Sequence, residues 1–210
     1  MRILFIGNSH TYYNDMPYQF AEIMRASGQQ VEITMLTRGG QNLSGHIRNE
    51  QTRFNIRYGQ YDFVIFQEVT SEFPDADTYL RDVSTLKGWC DEAGSACGLY
   101  MNFESPCDTP PLARMQPTVL STAQTLKIPA ARVGEAFAHA TMQLPELDLY
   151  ASDRHHASAA GSYLIALTIA HDLFGLSVRG LPIRIVYRET PILSLDEATA
   201  AALQTLVETL

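Results

Sequence analysis

Residues 2–9 read RILFIGNS. The run 2–6 is apolar after its first residue and is cut by Gly7, so it predicts a short buried strand that ends in a tight turn. The same pattern recurs along the chain. VEITML (31–36), DFVIF (62–66), CGLYMNF (97–103) and AARVG (130–134) predict four more strands. Between and after them, residues 18–28, 42–57, 75–94, 112–126, 158–175 and 194–210 carry helical periodicity. Gly28 stands where a helix stop is expected. The 75–94 segment opens with acidic residues, as the helix dipole favours. Ser194 and Glu197 have capping-box spacing. ESPCDTPP (104–111) predicts a loop. Strands alternating with helices imply parallel βαβ units, and near-continuous apolar strands imply a sheet covered on both faces. The expected fold is α/β: a three-layer α/β/α, flavodoxin-like, doubly wound parallel sheet of about five strands, forming a single domain over residues 1–210.

The totals exclude several classes of function. The 210 residues carry a net charge of −8 and are 46% hydrophobic. An acidic chain without a basic cluster argues against nucleic acid or an anionic membrane as partner. The longest mostly apolar run, ASAAGSYLIALTIA (157–170), is too short to span a bilayer. The three cysteines, Cys90, Cys97 and Cys107, form no CxxC pair, so neither a disulfide framework nor a zinc knuckle is expected. With no secretory h-region at the start, the expected location is cytoplasmic.

In a doubly wound sheet the ligand sits beyond the carboxyl ends of the strands, so the rim residues are the candidates. After the first strand, GNSHTYYND (7–15) presents Ser9 beside a helix start, where N–H groups favour negative charge. The same residues also suit an ordinary turn. The motif is neither G-x-S-x-G, since Thr11 fills the last place, nor G-x-G-x-x-G. After the second strand, Gly40 either points a backbone N–H into the site or serves a simple turn. His46 reads as a structural hydrogen-bonder. After the third strand come Gln67 and Glu68; the Gln67 amide either donates into the site or caps loose backbone. Asn102, ending the fourth strand, is a similar candidate. Late in the chain, SDRHHASAAG (152–161) places Asp153 three residues before His156, just ahead of a helix. Across that turn Asp153 can accept Nδ1–H of His156 and leave Nε2 as a base. His155 is expected to point to a different side of that turn, where it either lines the substrate pocket or holds the loop. Together these residues supply a nucleophile, a base with its orienting acid, and oxyanion donors, the constellation for acyl transfer.

The order of these blocks resembles the SGNH hydrolase, or GDSL esterase/lipase, superfamily. FIGNSHT resembles its first block, GGQNL its second, and SDRHHASAAG its last. The resemblance implies Ser9 as nucleophile, Gly40 as a backbone oxyanion donor, and Asp153 with His156 as acid and base. It implies a small-molecule ester substrate, with small soluble or acetyl esters favoured, and neither metal nor organic cofactor. One block departs. Where the family carries G-x-N-D, this chain has FQEVTSE (66–72), with Gln67 as the stand-in donor. Three rival readings remain beside it: a metal-dependent hydrolase built on Asp153, His155 and His156 with His10, an inactive ligand-binding module of the same fold, and a Cys107 nucleophile.

Overall fold

The computed structural model describes residues 1–107 and 112–210; residues 108–111 of the expected 104–111 loop lie outside the described residues. Five strands form one parallel sheet: β1 (Arg2–Gly7), β2 (Glu32–Thr37), β3 (Phe63–Gln67), β4 (Ala96–Tyr100) and β5 (Ala130–Ala131). Their order is β2-β1-β3-β4-β5, so β1 and β3 lie inside the sheet. Ile3 pairs with Ile33 on one side and Phe63 on the other. The expected doubly wound α/β/α architecture is the one observed.

The helices are α1 (Ser9–Tyr12), α2 (Met16–Ala26), α3 (Leu43–Arg48), α4 (Glu50–Tyr58), α5 (Ala76–Ala93), α6 (Leu112–Leu126), α7 (Val133–Gln143), α8 (Ala159–Phe174) and α9 (Glu197–Glu208). Side-chain alternation along β1 builds both cores. Ile3 and Phe5 pack with Phe20 of α2, Phe137 of α7 and Leu164 of α8. Leu4 and Ile6 pack with Ile56 of α4, Val83 of α5 and Val119 of α6. These β1 side chains are at most 1% exposed, and burying each fully contributes about 1.5–3 kcal/mol.

Four local expectations are corrected. The strand expected over 130–134 is only two residues long, because α7 begins at Val133. The helix expected over 42–57 is two helices. Asn49 is extended between them, and its side chain caps the second by accepting from Gln51 N–H. The last helix is capped by Asp196, which accepts from Thr199 N–H, because Ser194 is spent in an antiparallel hairpin of β6 (Arg184–Tyr187) and β7 (Thr190–Ser194). Finally β2, an edge strand, leaves much of its length exposed rather than covered on both faces. Among the described residues no helix is long and apolar enough to cross a membrane.

Candidate active site

The carboxyl end of β1 is built around Gly7. A Cβ there would lie 2.5 Å from Gln67 Oε1, so only glycine lets the turn close on β3. Asn8 caps α1, its side chain accepting from His10 N–H at 3.1 Å. The Asn8 N–H donates to Gln67 Oε1 at 2.9 Å. These bonds place Ser9 at the first position of α1, among N–H groups that a helix start leaves without an intrahelical acceptor.

Ser9 Oγ lies 2.7 Å from His156 Nε2. His156 Nδ1 lies 2.7 Å from Asp153 Oδ2, so its N–H donates to that carboxylate. The other Asp153 oxygen accepts the backbone N–H groups of His155 and His156, each at 3.0 Å. The His156 side-chain bond, followed by these backbone bonds, holds the Asp153 carboxyl well below the usual carboxylate range. The turn carrying these residues is closed by Ala151 N–H to His156 O and Ser158 N–H to Leu149 O. Arg154 makes the bend in the left-handed region, at φ 58°. Ser158 then caps α8, accepting from Gly161 N–H. Sequence spacing and structure agree here: the i, i+3 pair faces itself across one turn and meets Ser9 over 147 residues of chain.

Gly40 lies on the loop after β2 with φ 67°, and a Cβ there would meet nothing within 4 Å. Asn8 Nδ2 donates to Gln41 O at 3.2 Å, and Arg38 N–H donates to Gly7 O at 3.3 Å. The Gly40 loop is thereby tied to the serine turn. His46 braces the same place. Its Nε2–H donates to Gly7 O at 2.8 Å and Thr52 Oγ1 reaches its Nδ1 at 3.4 Å, the structural role expected of it.

Of the two arrangements expected for the Gln67 and Asn102 amides, the structure shows the capping one. Gln67 is buried; its Oε1 accepts from Asn8 N–H and Thr11 Oγ1, and its Nε2 donates to Glu68 O and Asn102 Oδ1. Asn102 Nδ2 donates to Glu68 O at 2.5 Å and Thr70 Oγ1 at 2.7 Å. Both amides satisfy the backbone and side chains of neighbouring strand ends. Glu68 is committed as well. Its Oε1 accepts from Val69 N–H at 2.7 Å and from Leu43 N–H at the start of α3 at 3.1 Å, while burial pushes its carboxyl up to about 7.

The His155 ring lies beside the Ser9–His156 pair. Its ring stands edge-on to His156, with centroids 4.6 Å apart, and 4.7 Å from the ring of His10. His10 is buried, and neither ring nitrogen has a hydrogen-bond partner. Burial first, then the neighbouring imidazoles, lowers its pKa to about 3, so it stays neutral. No group of three or more His, Cys, Asp or Glu side chains among the described residues is arranged to hold a metal ion. Cys107 Sγ lies 3.9 Å from Asp153 O.

One neighbour of His156 was not legible beforehand. Tyr13 stacks on its ring, with centroids 3.8 Å apart and 6° between planes. The only available signal was the Asn14-Asp15 pair ahead of Pro17, since these residue types tolerate left-handed backbone.

No family profile matches the chain, and no curated protein does either. Solved structures do. A protein of Slackia heliotrinireducens, provisionally assigned to the SGNH hydrolases, is 28% identical, with TM-score 0.70, over 82% of this chain and 98% of its own. A DUF4886 family protein from Bacteroides uniformis is 16% identical, with TM-score 0.80, over 100% of this chain and 93% of its own. The acetyl xylan esterase AlAXEase is 15% identical, with TM-score 0.65, over 80% of this chain and 98% of its own. The chain has the SGNH-hydrolase fold, and the Slackia protein is the neighbour whose sequence likeness goes beyond fold alone.

Proposed function

We propose that this protein is a serine esterase acting on small carboxylic esters, acetyl esters among them. The hydrogen-bonded chain from Ser9 Oγ through His156 to Asp153 carries the reading. His156 Nε2 accepts the Ser9 proton as Oγ attacks the ester carbonyl, and the same proton passes to the leaving alcohol. Asp153 holds the ring with Nδ1 protonated and stabilises the imidazolium. Water then attacks the acyl-serine with His156 again as base, releasing the acid. The Ser9 and Gly40 N–H groups hold the oxyanion, each worth about 10²–10³ in rate where such donors have been removed. The Gln67 and Asn102 amides take no part, being bonded inward. A neighbour of the same fold being an acetyl xylan esterase supports the choice of acetyl esters.

The test is a series of p-nitrophenyl esters of rising acyl length run beside acetylated sugars, with a fluorophosphonate label to mark the nucleophile. Turnover highest on the acetyl ester, with label on Ser9, supports the reading. No turnover on any ester, or full turnover in Ser9→Ala, overturns it.

A further inference from the structure

The segment between Ser9 and α2 holds two successive left-handed residues, more than the tolerance of Asn and Asp for single such residues accounts for. Asn14 and Asp15 are consecutive non-glycine residues in the left-handed region, at φ 52° and 51°. Such backbone is strained and persists where surrounding contacts over-determine it, often at functional sites. The contacts are present. Asn14 Nδ2 donates to Ala157 O at 2.8 Å and to Ser162 Oγ at 2.9 Å. Ser162 Oγ also lies 3.3 Å from Tyr13 O, and Gln19 Nε2 donates to Asn14 O at 2.8 Å. The bend is therefore fastened to the residue that follows His156 and to the first turn of α8. What the bend delivers is the Tyr13 ring, laid flat on the imidazole of His156.

We propose that Tyr13 is a positioning residue for His156, held in place by the Asn14 strap. The inference rests on the Ser9–His156–Asp153 reading. One hydrogen bond at Nδ1 fixes where the imidazole edge sits but leaves the ring free to tilt about that bond. A flat aromatic wall removes the tilt, so Nε2 stays directed at Ser9 Oγ. The wall also acts on charge. When His156 takes the serine proton it becomes a cation against a π-face, an attraction absent while the ring is neutral. An interaction that grows on the way to the transition state raises kcat and leaves KM alone. A phenyl ring offers the same face, so the hydroxyl is dispensable.

The experiment compares native protein with Tyr13→Phe, Tyr13→Leu and Asn14→Gly. Two readouts are used: kcat and KM on p-nitrophenyl acetate, and the ring-proton NMR shifts of His156 against the exposed His139. In native protein and Tyr13→Phe, the His156 ring protons should lie upfield of those of His139, and kcat should match within about twofold. Tyr13→Leu should lose the upfield shift and lower kcat roughly 3- to 30-fold at unchanged KM. Asn14→Gly relieves the backbone strain but removes the strap, and should fall between them. Tyr13→Phe as slow as Tyr13→Leu overturns the proposal, as does a folded Tyr13→Leu with native kcat. If Tyr13→Leu does not fold, the native and Tyr13→Phe shifts decide: absence of the upfield displacement overturns the stacking. If native protein hydrolyses no ester, the esterase reading fails separately, and the same shifts still judge the stack.

Discussion

The ends of β1 and β3 lie side by side on the same rim, and they use their polar residues in opposite ways. At the end of β1 the Ser9 hydroxyl faces an imidazole from the far end of the chain. At the end of β3 the Gln67 amide and Glu68 carboxylate turn inward and are consumed by Asn8, Thr11, Leu43 and Val69. Place on the rim therefore does not make a residue part of the site. What separates the two ends is whether neighbouring backbone has already claimed the side chain, since buried polar groups must find partners.

The largest effect should come from the β1 side. Ser9→Ala is expected to lower kcat by roughly 10⁴- to 10⁶-fold with an unchanged thermal midpoint; stopped-flow or long-time ester assays measure the residue of activity. Next comes the base. Asp153→Asn should cost about 10⁴ in kcat by leaving His156 in the wrong tautomer. His155→Ala should cost less than about tenfold, because its ring packs against His156 while the backbone N–H, which binds Asp153, is retained. Equal losses in these two variants would break the assignment of roles within Asp153–His156.

Gln67→Ala sharpens the comparison from the other side. An oxyanion donor would cost about 10²–10³ in kcat. An inward-bonded amide should instead destabilise the fold by about 1–3 kcal/mol, since the Asn8 N–H and Thr11 hydroxyl lose their acceptor. Well below the unfolding transition, kcat should stay within about tenfold of native. Denaturant melts and kinetics on one preparation separate the two outcomes.

The smallest effect is a difference of sign in pH dependence. Near β1, His10 is held neutral with its pKa lowered to about 3 from 6.5. Between those values the unfolded chain binds the extra proton, so this residue's stabilisation is present above pH 6.5 and is lost as pH falls. Near β3, Glu68 has its pKa raised to about 7 from 4.5. Between those values the folded state keeps the proton, so its stabilisation is present below pH 4.5 and is lost as pH rises. Thermal midpoints at pH 4.5, 6 and 8 should therefore rise more with pH in Glu68→Gln than in native protein. A parallel pair of curves would mean that Glu68 is already ionised across the range.

The sheet was legible because β1, β3 and β4 are buried on both faces, so their apolar runs are uninterrupted. The Ser9, Asp153 and His156 trio was legible because each stands at a turn whose spacing fixes its neighbour. Sequence left Gln67 open between donor and cap for a physical reason: the Asn8 N–H that captures it belongs to another strand end. Tyr13 was hidden because its partner lies 143 positions away in the same strap that binds Asn14 to Ala157. The hairpin of β6 and β7 and the early start of α7 depended on tertiary packing rather than local pattern.

Ser9 and His156 are separated by 147 residues, and the parallel sheet between them cannot be closed by local hairpins. Contacts of that span carry the loop-closure entropy of most of the chain and form late in folding. The Ser9 hydroxyl and the His156 imidazole thus first meet when the sheet and α8 are already joined. Recovery of activity in a refolding experiment should lag the recovery of helical signal, and a folding intermediate that exposes Ser9 would lack its base. On the proposed esterase reading, hydrolysis is withheld until assembly is complete, and labelling of Ser9 by a fluorophosphonate should report the last step of folding.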